Sequence, residues 1–218
     1  KYIVIFLFMT MLISLVSGFL VADNSVYDAY KKGFDKYNVE YINFVTADKL
    51  SDETIDKLEK ENKVKIYDQR YYELKESKRN ATIRIYGERK NVNKLCVMSG
   101  KLAKNDDEIA LDRVFAKNNN YKVGDNITID KNTYKITGFI AMPDYSCVFE
   151  DNADMMFDSV NFGVASMTDS GLSKLKKSKL SYCYAVKYDK EPESDKKQKD
   201  MSDDFLENLS KQAVVTSY

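Results

Sequence analysis

The chain has 218 residues, with 34 basic and 34 acidic side chains, no His, no Trp, three Cys and eight Gly. Zero net charge, with only five Arg among the cations, argues against a nucleic-acid binder, which needs a strongly basic face and guanidinium forks for phosphate. Without His there is no Ser-His-Asp or Cys-His pair and no imidazole ligand, and Cys96, Cys147 and Cys183 stand too far apart for a CxxC metal or redox motif.

Residues Tyr2 to Ala22 run without a charge, and apolar side chains occur all round the helix they would form. At about 1.5 Å per residue such a helix spans roughly 30 Å, the hydrocarbon thickness of a bilayer. A cleaved signal peptide would have a shorter apolar run and a small residue at the −3 place, where Leu20 stands. The reading is an uncleaved transmembrane helix over 1–22. From Asp23 onward charges are dense and balanced, and nothing there is apolar enough to span a membrane.

The soluble part opens with a strand over Val39–Val45, rich in β-branched and aromatic residues. Ser51 is placed as a helix N-cap, Asp52 and Glu53 fill the first turn, and Leu50 and Ile55 have the spacing of a hydrophobic staple. Strands follow over Val64–Tyr67 and Ala81–Tyr86. A second unit repeats the order: a strand over Asn161–Met167, Thr168 as N-cap, Met167 and Leu172 as staple, and a strand over Leu180–Lys187. Two such β-α-β units can share one antiparallel sheet with helices on one face. Lys187–Lys199 reads as an exposed loop, and a last helix is expected near Ser202–Lys211.

Between the units, Glu108–Asp112 leads into a short helix through Ala116, broken by Asn118–Asn120. Gly124-Asp125 reads as a tight turn, with Gly at positive φ and Asp bonding nearby amides. A hairpin turning at Asp130–Asn132 is expected to bury Ile127, Ile129, Ile136 and Ile140 on one face.

The stretch Glu108 to Ile140, EIALDRVFAKNNNYKVGDNITIDKNTYKITGFI, resembles the extracytoplasmic domain of MacB-like/FtsX-like ABC-transporter permeases. The features that carry it are the acidic-Ile-x-Leu-Asp element, the small helix, the Val-Gly-Asp turn and the strand pair ending in Gly. The resemblance implies an α+β fold: a membrane helix at 1–22, a porter-like βαβ subdomain over 23–97 and 144–218, and a sabre-like β insertion over 98–143. It also implies a bacterial cell membrane location, a cytoplasmic ABC ATPase subunit as partner, contact with membrane lipid, a permease dimer, and a peptide, lipid or lipoprotein as substrate. Permeases of this type carry further membrane helices, so this chain corresponds to their first helix and first outer domain.

The residues themselves supply little chemistry. There is no P-loop and no Gly-rich dinucleotide turn, so neither ATP hydrolysis nor any cofactor is expected here. The acidic groups Asp106-Asp107-Glu108 and Glu150-Asp151 with Asp154 lack the alternation of a Ca²⁺ loop and read as solvated surface. Cys147 reads as an ordinary half-buried thiol. Tyr71, Tyr72, Tyr182, Tyr184 and Tyr188 could line a peptide- or lipid-contacting face, but sheet packing is the preferred reading. No catalytic, cofactor or metal residue is nominated. The expected role is a non-enzymatic one in transport, the alternative a membrane-anchored ligand-binding or sensor domain.

Overall fold

The computed structural model describes residues 2–145, 149–150, 155–175 and 180–218, with the backbone alone for 20–24. It separates into two compact units, 1–38 and 39–218.

The first unit is one α-helix, α1 (Tyr2–Tyr37). Its stretch Tyr2–Phe19 is long and apolar enough to cross a membrane, and none of it is buried. The helix does not stop where the apolar run stops; it continues through a charged half as far as Tyr37, about 54 Å in all. Basic Lys36 lies in its last turn, where it complements the negative end of the helix dipole.

The second unit is a mixed α+β domain. Its strands are β1 (Ile42–Thr46), β2 (Val64–Asp68), β3 (Tyr71–Lys75), β4 (Thr82–Tyr86), β5 (Cys96–Gly100), β6 (Glu108–Asp112), β7 (Asn126–Ile129), β8 (Asn132–Ala141), β9 (Phe162–Ser166), β10 (Leu180–Tyr188) and β11 (Val215–Ser217). Its helices are α2 (Asp52–Asn62), α3 (Arg113–Asn118), α4 (Asp169–Ser173) and α5 (Asp195–Ser210). The strands form one sheet in the order β11-β1-β10-β3-β4-β9-β6-β8-β5, with β2 beside β10 and β7 beside β8.

The sheet is mixed where the sequence suggested antiparallel pairing, because β4 pairs β9 and β6 pairs β8 in parallel. The first β-α-β unit is split: β10 lies between β1 and β2, antiparallel to both. Capping chemistry sets the helix starts as expected. The Ser51 hydroxyl accepts the Thr54 N–H, and Thr168 accepts that of Gly171. The staple residues Leu50 and Met167 are buried, Ile55 packs beside the core and Leu172 is buried.

The helices cover one sheet face with two apolar clusters. Phe44, Leu58, Tyr184, Phe205 and Leu209 form one, under α2 and α5. Ile83, Ile85, Ile109, Leu111, Phe115 and Leu172 belong to the other, under α3 and α4. Each such side chain contributes about 1.5–3 kcal/mol on burial. A third cluster, with Tyr71, Tyr86, Ile140, Met142 and Phe162, covers part of the opposite face.

Two expectations change. The β7–β8 hairpin turns at Asp130 and Lys131, both at positive φ, and Ile127, Ile129 and Ile136 share one cluster. Ile140 belongs to the opposite face. The register of β8 against β6 slips between Ile136 and Gly138, so Thr137 is an extra residue and the alternation inverts beyond it. The stretch read as a loop up to Lys199 is helical from Asp195, because Ser194 caps it by accepting the Lys197 N–H. Its first two turns are polar all round, so no periodicity betrayed them before Met201 and Phe205.

Candidate functional site

β2 and β3 are one bent strand. They pair β10 in a single register, Tyr184 with Asp68 and Ser181 with Tyr71, and the Gln69 N–H bridges the bend to the Cys183 carbonyl at 2.8 Å. β3 also pairs β4, but that pairing ends at Tyr71–Tyr86, after which the chain departs through Gly87. A notch therefore opens between residues 68–70 and 87–89.

Two cavities meet at this notch. One, of about 440 Å³, is lined by Asp68, Arg70, Tyr72, Leu172 and Leu180 among others, with Gln69 and Arg89. The other, of about 410 Å³, is lined by Glu40, Tyr71, Asp144, Tyr145 and Cys183 among others, again with Gln69 and Arg89. Tyr72 and Leu180 face the helices, whereas Tyr71 and Cys183 face the other way, so the cavities lie on opposite sides of the sheet. Gln69 and Arg89 form the partition.

Arg89 anchors the site. Its side chain is only 2% exposed, pairs with Asp144 at 2.5 Å and lies over the Tyr86 ring at 4.1 Å. Tyr86 and Tyr145 share a hydroxyl hydrogen bond of 2.6 Å, and Arg84 donates to the Tyr145 hydroxyl at 2.9 Å. Arg84 also pairs with Glu73 and lies over the rings of Tyr71 and Phe162. The network leaves two buried atoms unmatched among the described residues: Arg89 Nε, a donor, and Gln69 Oε1, an acceptor. An unmatched buried polar atom costs roughly 1–3 kcal/mol.

Glu40 closes the cavity at its other end. Its N–H donates to Asn93 Oδ1 at 2.9 Å, and Asn93 Nδ2 donates back to its carboxylate at 2.7 Å. Asn43 Nδ2 donates to the second carboxylate oxygen at 2.9 Å. Burial, seconded by the Asp144 charge, pushes the Glu40 carboxyl up to about 7, against the lowering pull of Asn43, Asn93 and Arg89. Burial also pushes the Cys183 thiol up to about 12, with Glu40 adding to the effect, so it is an inert thiol.

Of the groups that stood out in the sequence, Tyr71, Tyr72 and Glu150 line the two cavities, and the Glu150 carbonyl accepts from Arg84 at 2.9 Å; the others described lie elsewhere. Asp106 ties the approach to β6 to α4: its carboxylate accepts from Thr168 at 2.8 Å, from Lys174 at 2.6 Å and from the Ser170 hydroxyl. Those bonds, Lys174 first, hold it far below the usual carboxylate range. Glu108 accepts the N–H groups of Lys104 and Asn105, and Asp112 caps α3 by accepting those of Val114 and Phe115. The Glu108–Asp112 element is thus wholly buried structure, and Gly124 stands at φ +101 where the turn was expected. Tyr71, Tyr72, Tyr184 and Tyr188 are buried, each less than 10% exposed, and Tyr182 is half-buried against the Phe44 cluster, which makes them packing residues rather than an open face. Cys147 and Asp151–Asp154 lie outside the described residues. Among the described residues no three acidic or Cys side chains are placed to hold a metal. Arg89, Gln69 and Glu40 escaped the sequence reading; the one available signal was the scarcity of Arg beside 29 Lys, which makes each Arg a candidate for a buried pair.

No protein-family model matches the chain, and no curated protein matches it. Among solved structures it is similar to the periplasmic region of MacB from Actinobacillus actinomycetemcomitans, at 15% identity over 79% of this chain and 85% of that one, with a TM-score of 0.44. It is also similar to the extracellular domain of the ABC-type transporter YknZ from Gram-positive bacteria, at 11% identity over 83% of this chain and 98% of that one, with a TM-score of 0.42.

Proposed function

We propose that the chain is the membrane-anchored outer domain of an ABC-transporter permease of the MacB-like/FtsX-like type, working without catalysis of its own. The observation that carries the reading is α1: an uncharged stretch, apolar all round and unburied, precedes a well-packed α+β domain in the same chain. An apolar surface of that extent is not stable in water, and a bilayer satisfies it. The Glu108–Ile140 pattern supports the family, because its distinctive residues are the ones the domain uses to cap, turn and pack. The porter-like part is expected from the sequence over 23–97 and 144–218, but α1 runs on to Tyr37, so in this reading it takes 39–97 and 144–218, with 98–143 as the sabre-like insertion. A cytoplasmic ATPase moves the membrane helices, and the outer domain shifts as a body to export or extract a peptide, lipid or lipoprotein.

The test is to cross-link the outer domain to that of a second permease copy in reconstituted vesicles holding the ATPase. Export stops while ATP binding survives if the domain transmits motion. Export that continues unchanged rejects mechanical transmission. A second reading, a membrane-anchored ligand-binding domain without transport, draws on the notch at Gln69 and Arg89. It predicts a ligand response in the absence of any ATPase.

A further inference from the structure

We propose that Glu40 and Asn93 form a proton-controlled clasp on the segment by which the chain enters the domain over 39–218, closed while Glu40 is protonated and released as it ionises. The clasp is a pair of hydrogen bonds between two residues 53 positions apart. The Glu40 N–H donates to Asn93 Oδ1 at 2.9 Å, and Asn93 Nδ2 donates to the Glu40 carboxyl at 2.7 Å. Asn93 is fully buried and stands at φ +49, in the left-handed region that Asn tolerates better than most residues. It spends both side-chain polar atoms on Glu40. Glu40 itself follows closely on the end of α1 at Tyr37.

The surroundings make the clasp sensitive to charge. Glu40 lines the cavity of about 410 Å³, into which Asp144, Tyr145 and Glu150 reach from the stretch after β8, Arg84 and Tyr86 from β4, Arg89 from the chain beyond it, Tyr71 from β3 and Cys183 from β10. Both cations are committed, Arg89 to Asp144 and Arg84 to Glu73. Glu40 has only the amides of Asn43 and Asn93 as hydrogen-bond donors to its carboxyl, with Asp144 as a like charge across the cavity. An ionised Glu40 therefore gains by turning toward solvent, and Asn93 then loses its partner. Burial first and Asp144 second raise the Glu40 carboxyl from 4.5 to about 7, whereas burial raises Tyr86, Tyr145 and Cys183 and so keeps them neutral. A raised value favours the closed clasp at acid pH, and that advantage is lost as the pH rises through 7. Two neighbouring ties do not involve this carboxyl: the Tyr41 N–H donates to the Val186 carbonyl at 2.9 Å, and the Lys187 ammonium to the Val39 carbonyl at 2.7 Å. Release is thus local to Glu40. The inference holds whether or not the chain belongs to a transporter.

The test follows backbone amide hydrogen exchange in the full chain in detergent micelles at about pH 5 and about pH 8, with rates corrected for the intrinsic effect of pH. The Glu40 N–H is expected to lose at least about tenfold in protection between the two, and the Tyr41 N–H much less. Glu40→Gln keeps an acceptor for Asn93 without the charge, and is expected to show equal protection at both pH values. Asn93→Ala is expected to strip the Glu40 N–H of protection at both; the Gln comparison stands without it if that protein fails to fold. Three results overturn the clasp: protection at Glu40 that does not change with pH, the same change in Glu40→Gln, or an equal loss at Glu40, Tyr41 and the central strands, which marks a global loss of stability instead.

Discussion

Asp112 and Glu40 show how differently a carboxylate can be used in one small domain. Asp112 is 4% exposed and gives its oxygen to the Val114 and Phe115 N–H groups at 2.9 and 2.8 Å. Asp112→Ala is expected to cost about 1–2 kcal/mol, read by chemical denaturation, with Asp112→Asn costing less because it keeps an acceptor. Glu40, half-buried, faces Asp144, Arg89 and Cys183 across a pocket. Its folded value near 7 lies above the unfolded 4.5, so the folded state holds the proton more tightly. Its contribution to stability is therefore full below about pH 4.5 and is lost as the pH rises through 7. The full chain is expected to lose on the order of 2–3 kcal/mol between pH 5 and pH 8 from this group, and Glu40→Gln to flatten that slope. A slope unchanged in the variant would assign it to other groups. Capping acids such as Asp112 are legible in a sequence because their partners are close along the chain. Glu40 is not, since Asn93, Arg89 and Asp144 come from other segments.

At the scale of elements, most local signals were read correctly, the Ser194 cap of α5 excepted, and long-range ones were not. The Ser51 and Thr168 caps, the Gly124 turn and the β7–β8 hairpin all rest on residues within a few positions of each other. The parallel pairings, the insertion of β10 between β1 and β2, and the notch depend on which strand meets which, and periodicity carries no such information. The edge strands β5 and β11 were missed because neither alternates cleanly. The bulge at Thr137 defeats alternation altogether, since one extra residue sends Ile140 to the far face. Packing between elements offers a sharp test at Gly163 in β9. A methyl there would come within 2.5 Å of the Phe115 ring on α3. Gly163→Ala is expected to cost about 1–3 kcal/mol in denaturation, and Phe115→Leu to recover part of it. Equal stability of Gly163→Ala and the parent would mean that α3 packs elsewhere.

At the scale of the whole molecule, two units make opposite demands on solvent. The domain over 39–218 buries most of its apolar side chains among the described residues, whereas Tyr2–Phe19 buries none. Composition and charge order made this division readable from the sequence: 21 uncharged residues, then a dense mixture of both signs. The unread part is the helical continuation to Tyr37, whose charged half gives no apolar stripe to recognise. The most direct measurement is labelling of intact bacterial cells making the chain with Cys96, Cys147 and Cys183 replaced and one new Cys, at Lys101 or at Ile13. A maleimide that cannot cross membranes is expected to modify the Lys101→Cys chain from outside without permeabilisation, and to leave the Ile13→Cys chain unmodified until detergent is added. Modification of Ile13→Cys in untreated cells, or of Lys101→Cys only after permeabilisation, would contradict an anchored domain facing outward.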